Sequence, residues 1–271
     1  MKIDMHLHTR ASFDCESDPA EIVCWAARKG IKALVVTEHD TTEGYDDLKA
    51  AADKAGIVVI PGLEHTAARG THYLIYLTPE LPLPSDDMEM IKEVHFRGGL
   101  VGIAHPFRSD TGIIYNQIEN NLYSEDEVSN ILSAADFIEV FNGKSTVKQN
   151  TQALELAARY PKLKRIGGSD SHHPSTIGSA HTEIAGFKTG TVLEMAEGFR
   201  NLETKVITLA ELDESTSEKT IKRGAEGIRK LMVKLKPYIP ARIWRIGKSA
   251  YRTEVNRIAN KKAAKSITRQ Q

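Results

Sequence analysis

The chain opens on a period of two. In MKIDMHLHT the apolar side chains Ile3, Met5 and Leu7 share one face of an extended segment, and His6 and His8 share the other. Short apolar runs of the same kind recur near residues 33–38, 57–63, 72–77, 100–104, 137–141, 165–169 and 205–208. Between them the apolar positions change to helical spacing, at roughly 19–29, 44–55, 86–97, 124–134, 147–159 and 191–200. Asp18 followed by Pro19 starts the first helix, while Gly30 and Gly56 end the first two. Strands separated by helices predict parallel pairing through right-handed crossovers, as in a barrel of alternating strands and helices. The segment 106–123 breaks the alternation and predicts a long insertion, either a lid or a substrate-facing wall. Packing is the expected role of its Tyr115 and Tyr123, ahead of stacking on a ring. No internal repeat is visible.

The pattern changes again near the end. From Ser217 onward there are sixteen Lys and Arg against three Glu, within a chain whose 36 basic and 36 acidic residues balance overall. Ile221, Ile228, Leu231, Val233 and Leu235, then Ile243, Ile246, Tyr251, Val255 and Ile258, predict two amphipathic helices split by Pro237 and Pro240. We therefore expect a barrel over 1–216 and a basic helical extension over 217–271, with KKAAKSITRQQ a disordered end. The extension could dock on the acidic barrel, bind nucleic-acid phosphates or meet an anionic membrane surface. With 41% apolar and 27% charged residues, the 271-residue chain has the composition of a globule. It holds no apolar run long enough to cross a bilayer and no secretory leader, so a cytoplasmic location is expected. The two cysteines form no pattern: Cys24, in AEIVCWAARKG, reads as core, and Cys15 as a loop thiol.

Metal-binding residue types stand at the ends of the apolar runs. His6 and His8 close the first. Asp14 follows in the next loop, then His39 in VVTEHD, Glu64 in VVIPGLEH, His72 in THYLIYL, His105 in VGIAHP, and Asp170 and His172 in GGSDSHH. The C-terminal ends of barrel strands are where active-site groups gather. Any one of these histidines is more simply a hydrogen-bonded structural side chain. Six imidazoles and three carboxylates at strand ends are not, because burying unpaired polar groups is costly. They read as one site.

Nitrogen and oxygen donors without thiolate suit Zn, Mn or Fe(II). Nine ligands exceed the needs of one ion and predict two or three divalent ions, with a carboxylate such as Glu64 able to bridge. Neighbouring metals acidify a shared water and clamp both oxygens of an in-line displacement. A phosphate ester attacked by a metal-bound hydroxide is then the first expectation. Arg108, just past His105, is expected to grip a phosphate oxygen, against a plain pairing with Asp110. Arg69 is a weaker candidate of the same kind. His173 is a candidate for phosphate contact or for protonating the leaving group. His65 and His181 read as structural, and His95 as a surface or packing residue of a helix.

In combination, MHLHT with Ser12 and Asp14, then TEHDT, PGLEH, AHP and GSDSH resemble the PHP (polymerase and histidinol phosphatase) superfamily of metal-dependent phosphoesterases, in order over roughly residues 1–185. The resemblance implies a distorted seven-stranded, TIM-like β/α barrel with a trinuclear site. It assigns His6 and His8 to a first metal, with Glu64 bridging and Asp170 completing it. His72 and His105 join Glu64 at the second, and Asp14, His39 and His172 hold the third. It implies a stand-alone enzyme acting on a phosphorylated small molecule, a nucleotide or a short RNA 5′ end. Histidinol phosphate and phosphotyrosine are competing substrates, and the basic segment favours a nucleotide or oligonucleotide. Hydrolysis of a non-phosphate bond, or a non-catalytic nucleic-acid-binding module, are the alternatives; the complete donor set argues against the last.

Overall fold

A computed structural model describes residues 1–208. The basic extension and its two expected helices lie outside the described residues. Met1–Ile207 forms a compact unit of its own. The elements run β1 (Lys2–Leu7), α1 (Pro19–Arg28), β2 (Ala33–Val36), α2 (Gly44–Asp53), β3 (Val58–Thr66), β4 (His72–Tyr76), α3 (Asp87–Phe96), β5 (Leu100–Ile103), α4 (Ile113–Ile118), α5 (Glu125–Ala134), β6 (Phe137–Asn142), α6 (Val147–Arg159), β7 (Lys164–Gly168), β8 (Ala180–Ile184), α7 (Val192–Asn201) and β9 (Thr204–Thr208). Asp18 caps α1 by accepting from the Ala20 amide, and capping boxes start α5, α6 and α7.

The strands form one sheet in the order β7-β6-β5-β4-β3-β2-β1-β8-β9. It curls into a nearly closed barrel. Its seam is the meeting of β1 with the end of β7, where the Asp170 amide donates to the His6 carbonyl at 2.7 Å and the His8 amide to the Ser171 carbonyl at 3.0 Å. Pairing is parallel for β1–β2, β2–β3, β5–β6 and β6–β7. The expectation of parallel pairing fails at β3–β4 and β4–β5, which are antiparallel. The physical reason for the first is the connection: residues 67–71 are too few for a crossover, so the chain turns back as a hairpin. β8, which the sequence reading missed, runs antiparallel to β1.

One apolar cluster draws on β1 through β8, with Ile3, Met5, Val35, Ile60, Leu74 and Tyr76 among its members, and fills the barrel. α7 adds Met195, Ala196 and Phe199 to it. Two further clusters pack α1 and α2 on β1–β3, and α3 to α6 on β4–β6. Leu7 belongs to the α1–α2 cluster, not to that of Ile3 and Met5. A register irregularity between Asp4 and Leu7 splits these residues, because a bulge reverses which face a strand presents. The simple alternation read from MKIDMHL is corrected there. Cys24 is also corrected: it is exposed on α1, whereas Cys15 is buried.

The insertion at 106–123 is docked on the barrel rather than standing free. Ile113 and Ile114 of α4 and Tyr123 are buried in the cluster beneath it. Arg69 lies 3.7 Å from the Tyr123 ring centroid, donates to Asp87 at 2.6 Å and to Glu127 at 2.9 Å. Its guanidinium is thus committed to fastening this loop, which corrects its reading as a phosphate ligand.

Candidate metal centre

All nine donors come together at one end of the barrel, where β1, β2, β3, β5 and β7 finish and β4 begins. Glu64, buried in β3, is the hub. Its Oε1 lies 2.8 Å from His72 Nδ1 and 2.8 Å from His105 Nε2. Its Oε2 lies 3.1 Å from Nε2 of both His6 and His8 and 3.4 Å from His39 Nδ1. Asp170 Oδ1 sits 3.5 Å from His8 Nε2 and 3.5 Å from His172 Nδ1. Asp14 Oδ2 meets His172 Nε2 at 2.8 Å and His39 Nε2 at 3.7 Å. Three overlapping groups are spaced to share a cation: His6, His8 and Asp170; His39, Glu64 and His72; and His8, His39 and His172.

The protons in this cluster can be placed from its partners. His6 lies 3.1 Å from Glu139 Oε1 through Nδ1 and 3.1 Å from Glu64 Oε2 through Nε2; with Nδ1 donating to Glu139, Nε2 is left as the lone pair that faces the other donors. His8 Nδ1 lies 3.0 Å from Ser12 Oγ, whose own hydrogen goes to Glu38. His8 Nε2 is therefore also a lone pair. The two Nε2 atoms stand 3.2 Å apart and both face Glu64 Oε2. Buried Asp170 Oδ1 and His105 Nδ1 have no hydrogen-bond partner. Lone pairs converging on lone pairs, with an unpartnered carboxylate oxygen beside them, are what a cation resolves. The donor set fits divalent metal ions.

The electrostatics agree. Burial alone pushes the Glu64 and Asp170 carboxyls up, yet His6 and neighbouring donors hold both well below the carboxylate range. Burial pulls His6 down, but Glu64, Glu139 and Asp170 raise it well above an ordinary histidine. Without a metal, the same field draws onto His6 Nε2 the proton that a bound cation would displace. Burial lowers His39 to about 4 and also lowers His105 and His172, keeping these imidazoles neutral and able to ligate. His105 and Asp170 also hold strained backbone, with φ of 23° and 48°.

A ring of supporting residues escaped the sequence reading. Glu139 of β6, 1% exposed, binds His6 Nδ1, the His105 amide and Asn142 Nδ2. Glu38 accepts from Thr9 and Ser12 and so holds the loop behind His8. Asp4 accepts from the Ser169 and Gly178 amides across the seam, and burial pushes its carboxyl up to about 6. The available signal was an acidic residue inside an otherwise apolar run, as in FIEVFN and MKIDM. Arg108 pairs with Asp170 Oδ2 at 2.7 Å and with Asn142 Oδ1 at 2.8 Å, not with Asp110. Lys144, also unforeseen, places Nζ 3.2 Å from His172 Nδ1. His173 is exposed and turned to Ser175, capping the short turn Pro174–Thr176, and it touches none of the nine donors. His65 pairs with Asp40 and His95 with Asp136, both structural.

A nearly closed barrel with a buried imidazole–carboxylate cluster at its mouth is the frame of a metal-dependent hydrolase, and the family match makes it one of phosphoric esters. Residues 4–260 match the PHP domain, and the chain belongs to that family. An uncharacterised protein of Methanocaldococcus jannaschii is 27% identical over 187 residues, which cover 68% of this chain and 71% of that one. The 3′,5′-nucleoside bisphosphate phosphatase of Chromobacterium violaceum is 32% identical over 95 residues, 34% of this chain and 33% of that enzyme. Among solved structures, PsfC from Pseudomonas syringae shares the fold with a TM-score of 0.59 at 19% identity, covering 78% of this chain and 92% of that one. Among the described residues, no helix is long and apolar enough to cross a membrane.

Proposed function

We propose that this chain hydrolyses a phosphate ester of a nucleotide or short oligonucleotide at a centre of two or three divalent metals. The observation that carries the reading is the convergence of the His6 and His8 Nε2 lone pairs on Glu64 and on unpartnered Asp170 Oδ1. His6, His8 and Asp170 would hold one ion, His72 and His105 a second, and Asp14, His39 and His172 a third, with Glu64 shared. When bound, such ions acidify water for attack and neutralise phosphate oxygens. The chain's own residues orient and hold. Glu139 and Ser12 fix the imidazole tautomers. Arg108 anchors Asp170 and keeps further N–H groups for a phosphate oxygen, and Lys144 adds a second cation at the mouth. His173 is positioned to serve only a leaving group that extends out of the barrel.

The nucleotide preference is supported by the substrate of the Chromobacterium relative and by the basic composition after Ser217. The test is phosphate release by the chain loaded with Mn, Zn or Fe(II). Substrates would be a nucleoside 3′,5′-bisphosphate, short 5′-phosphorylated RNA, histidinol phosphate and a phosphotyrosine peptide. Turnover of the first two, lost together with bound metal in the His6→Ala/His8→Ala double variant, is expected. Activity that survives that variant, or silence with metal bound, refutes the hydrolase reading. Turnover confined to the last two refutes the nucleotide preference alone.

A further inference from the structure

Between the buried residues Ser12 and Cys15, the loop from β1 to α1 holds Phe13 out into solvent, 88% exposed. The loop has little freedom to fold it away. Ser12 donates to Glu38, the Cys15 amide to the Ser12 carbonyl, and the Arg10 amide to the Ser17 carbonyl. Asp14, the next residue, reaches His172 at 2.8 Å. Tucking Phe13 inward would break these contacts, so its presentation is built into the loop.

Exposure alone distinguishes nothing, since Phe96, at the end of α3, is equally exposed. Position does. The Phe13 ring lies 5.2 Å from the His39 ring, tilted by 35°, and His39 in turn lies 6.1 Å from His172. Among the described residues, no other large apolar side chain exposed to this degree has a ring contact with the donor cluster. Beyond His172, Lys144 stands against the same imidazole from the other side, 3.2 Å from Nδ1 and 4.0 Å from Asp170 Oδ1. The mouth thus has a cation beside one part of the cluster and a flat apolar face beside another. A phosphate held at the cations and a planar ring on Phe13 belong to one kind of molecule.

The geometry points to Phe13 as a stacking platform that selects phosphate esters bearing a flat heteroaromatic group, a nucleobase, with Lys144 taking the phosphate. This rests on the phosphoesterase reading and narrows its substrate. Stacking of one base on an aromatic side chain changes affinity by about tenfold. The test uses the metal-loaded full chain with adenosine 5′-monophosphate and ribose 5-phosphate, which differ only by the base. The KM ratio of the two should favour the nucleotide by about tenfold, collapse in Phe13→Ala, and return in Phe13→Trp. Lys144→Met should weaken both substrates alike. A Phe13→Ala loss equal on both substrates marks a structural role and overturns the proposal, as does a wild-type ratio near one. If neither compound turns over, the hydrolase reading fails for them, and calorimetry of the same two ligands still decides the platform. Nucleotide binding unweakened by Phe13→Ala then overturns it.

Discussion

Glu139→Gln replaces one oxygen by an NH2 group without changing shape, and its effect can be followed atom by atom. The carboxylate accepts three N–H groups: His6 Nδ1 at 3.1 Å on Oε1, and the His105 amide at 2.9 Å and Asn142 Nδ2 at 3.0 Å on Oε2. A glutamine has one acceptor oxygen. Kept on the side of the two donors, it turns NH2 toward His6. His6 then finds a partner only by moving its hydrogen to Nε2, the atom that must ligate. Holding the original tautomer instead leaves two N–H groups face to face in a site where His6 is fully buried. Such a defect costs about 1–3 kcal/mol, or roughly 5- to 150-fold in metal affinity. That agrees with the loss of about 10- to 100-fold typical when the outer partner of a ligating histidine is removed. Chelator competition with Zn or Mn reads the affinity, and circular dichroism in EDTA verifies the fold. A folded variant that binds metal within about twofold of wild type would refute the tautomer argument.

Gly168→Ala would place a Cβ against His6 Cβ and 2.7 Å from the His6 amide nitrogen. Neither atom is the end of a flexible side chain, so β7 must retreat by roughly 1 Å beside Asp170, destabilising the fold by about 1–3 kcal/mol and lowering turnover by about 100-fold. Urea unfolding in EDTA and phosphate release measure the two effects; wild-type values for both would sink this account of the seam. His181 is fully buried with neither ring nitrogen partnered, and burial, aided by Lys2, pulls it from 6.5 to about 4. The fold therefore keeps it neutral while the unfolded chain takes up a proton, so its contribution is intact above about pH 6.5 and is lost as pH falls toward 4, by at most about 3 kcal/mol. Unfolding of metal-free wild type and His181→Leu between these pH values should show a smaller acid loss in the variant, and parallel curves would contradict it.

How much of this was legible follows from what each feature depends on. The strands from β1 to β7 and all helices except α4 announce themselves through periodicity, and the nine donors through their place at strand ends. β8, AHTEI, is polar at His181, Thr182 and Glu183, yet lies in the sheet because Thr182 and its neighbours pair with β1 and β7. No local pattern carries that information. The bulge near His6 is likewise a property of strand pairing. Cys24 falls at an apolar position of α1 that meets solvent, because among the described residues no element covers that part of the helix. Glu139 was written in the sequence as an acid amid apolar residues, but its partner lies 133 positions away. Arg69 looked like a substrate contact until the fold brought Asp87 and Glu127 to it.

The seam between β1 and β7 also has a meaning in time. His6 and His8 are synthesised more than 160 positions before Asp170 and His172. A growing chain leaving the ribosome therefore displays two imidazoles on a free strand long before the carboxylate beside them exists. During that interval they are an open pair of nitrogen ligands, able to take an imidazole-seeking ion from the surroundings. The His6, His8 and Asp170 group is complete only when the end of β7 reaches β1. The order in which the chain is made thus places the closing of that donor group after seven strands of the barrel have been synthesised.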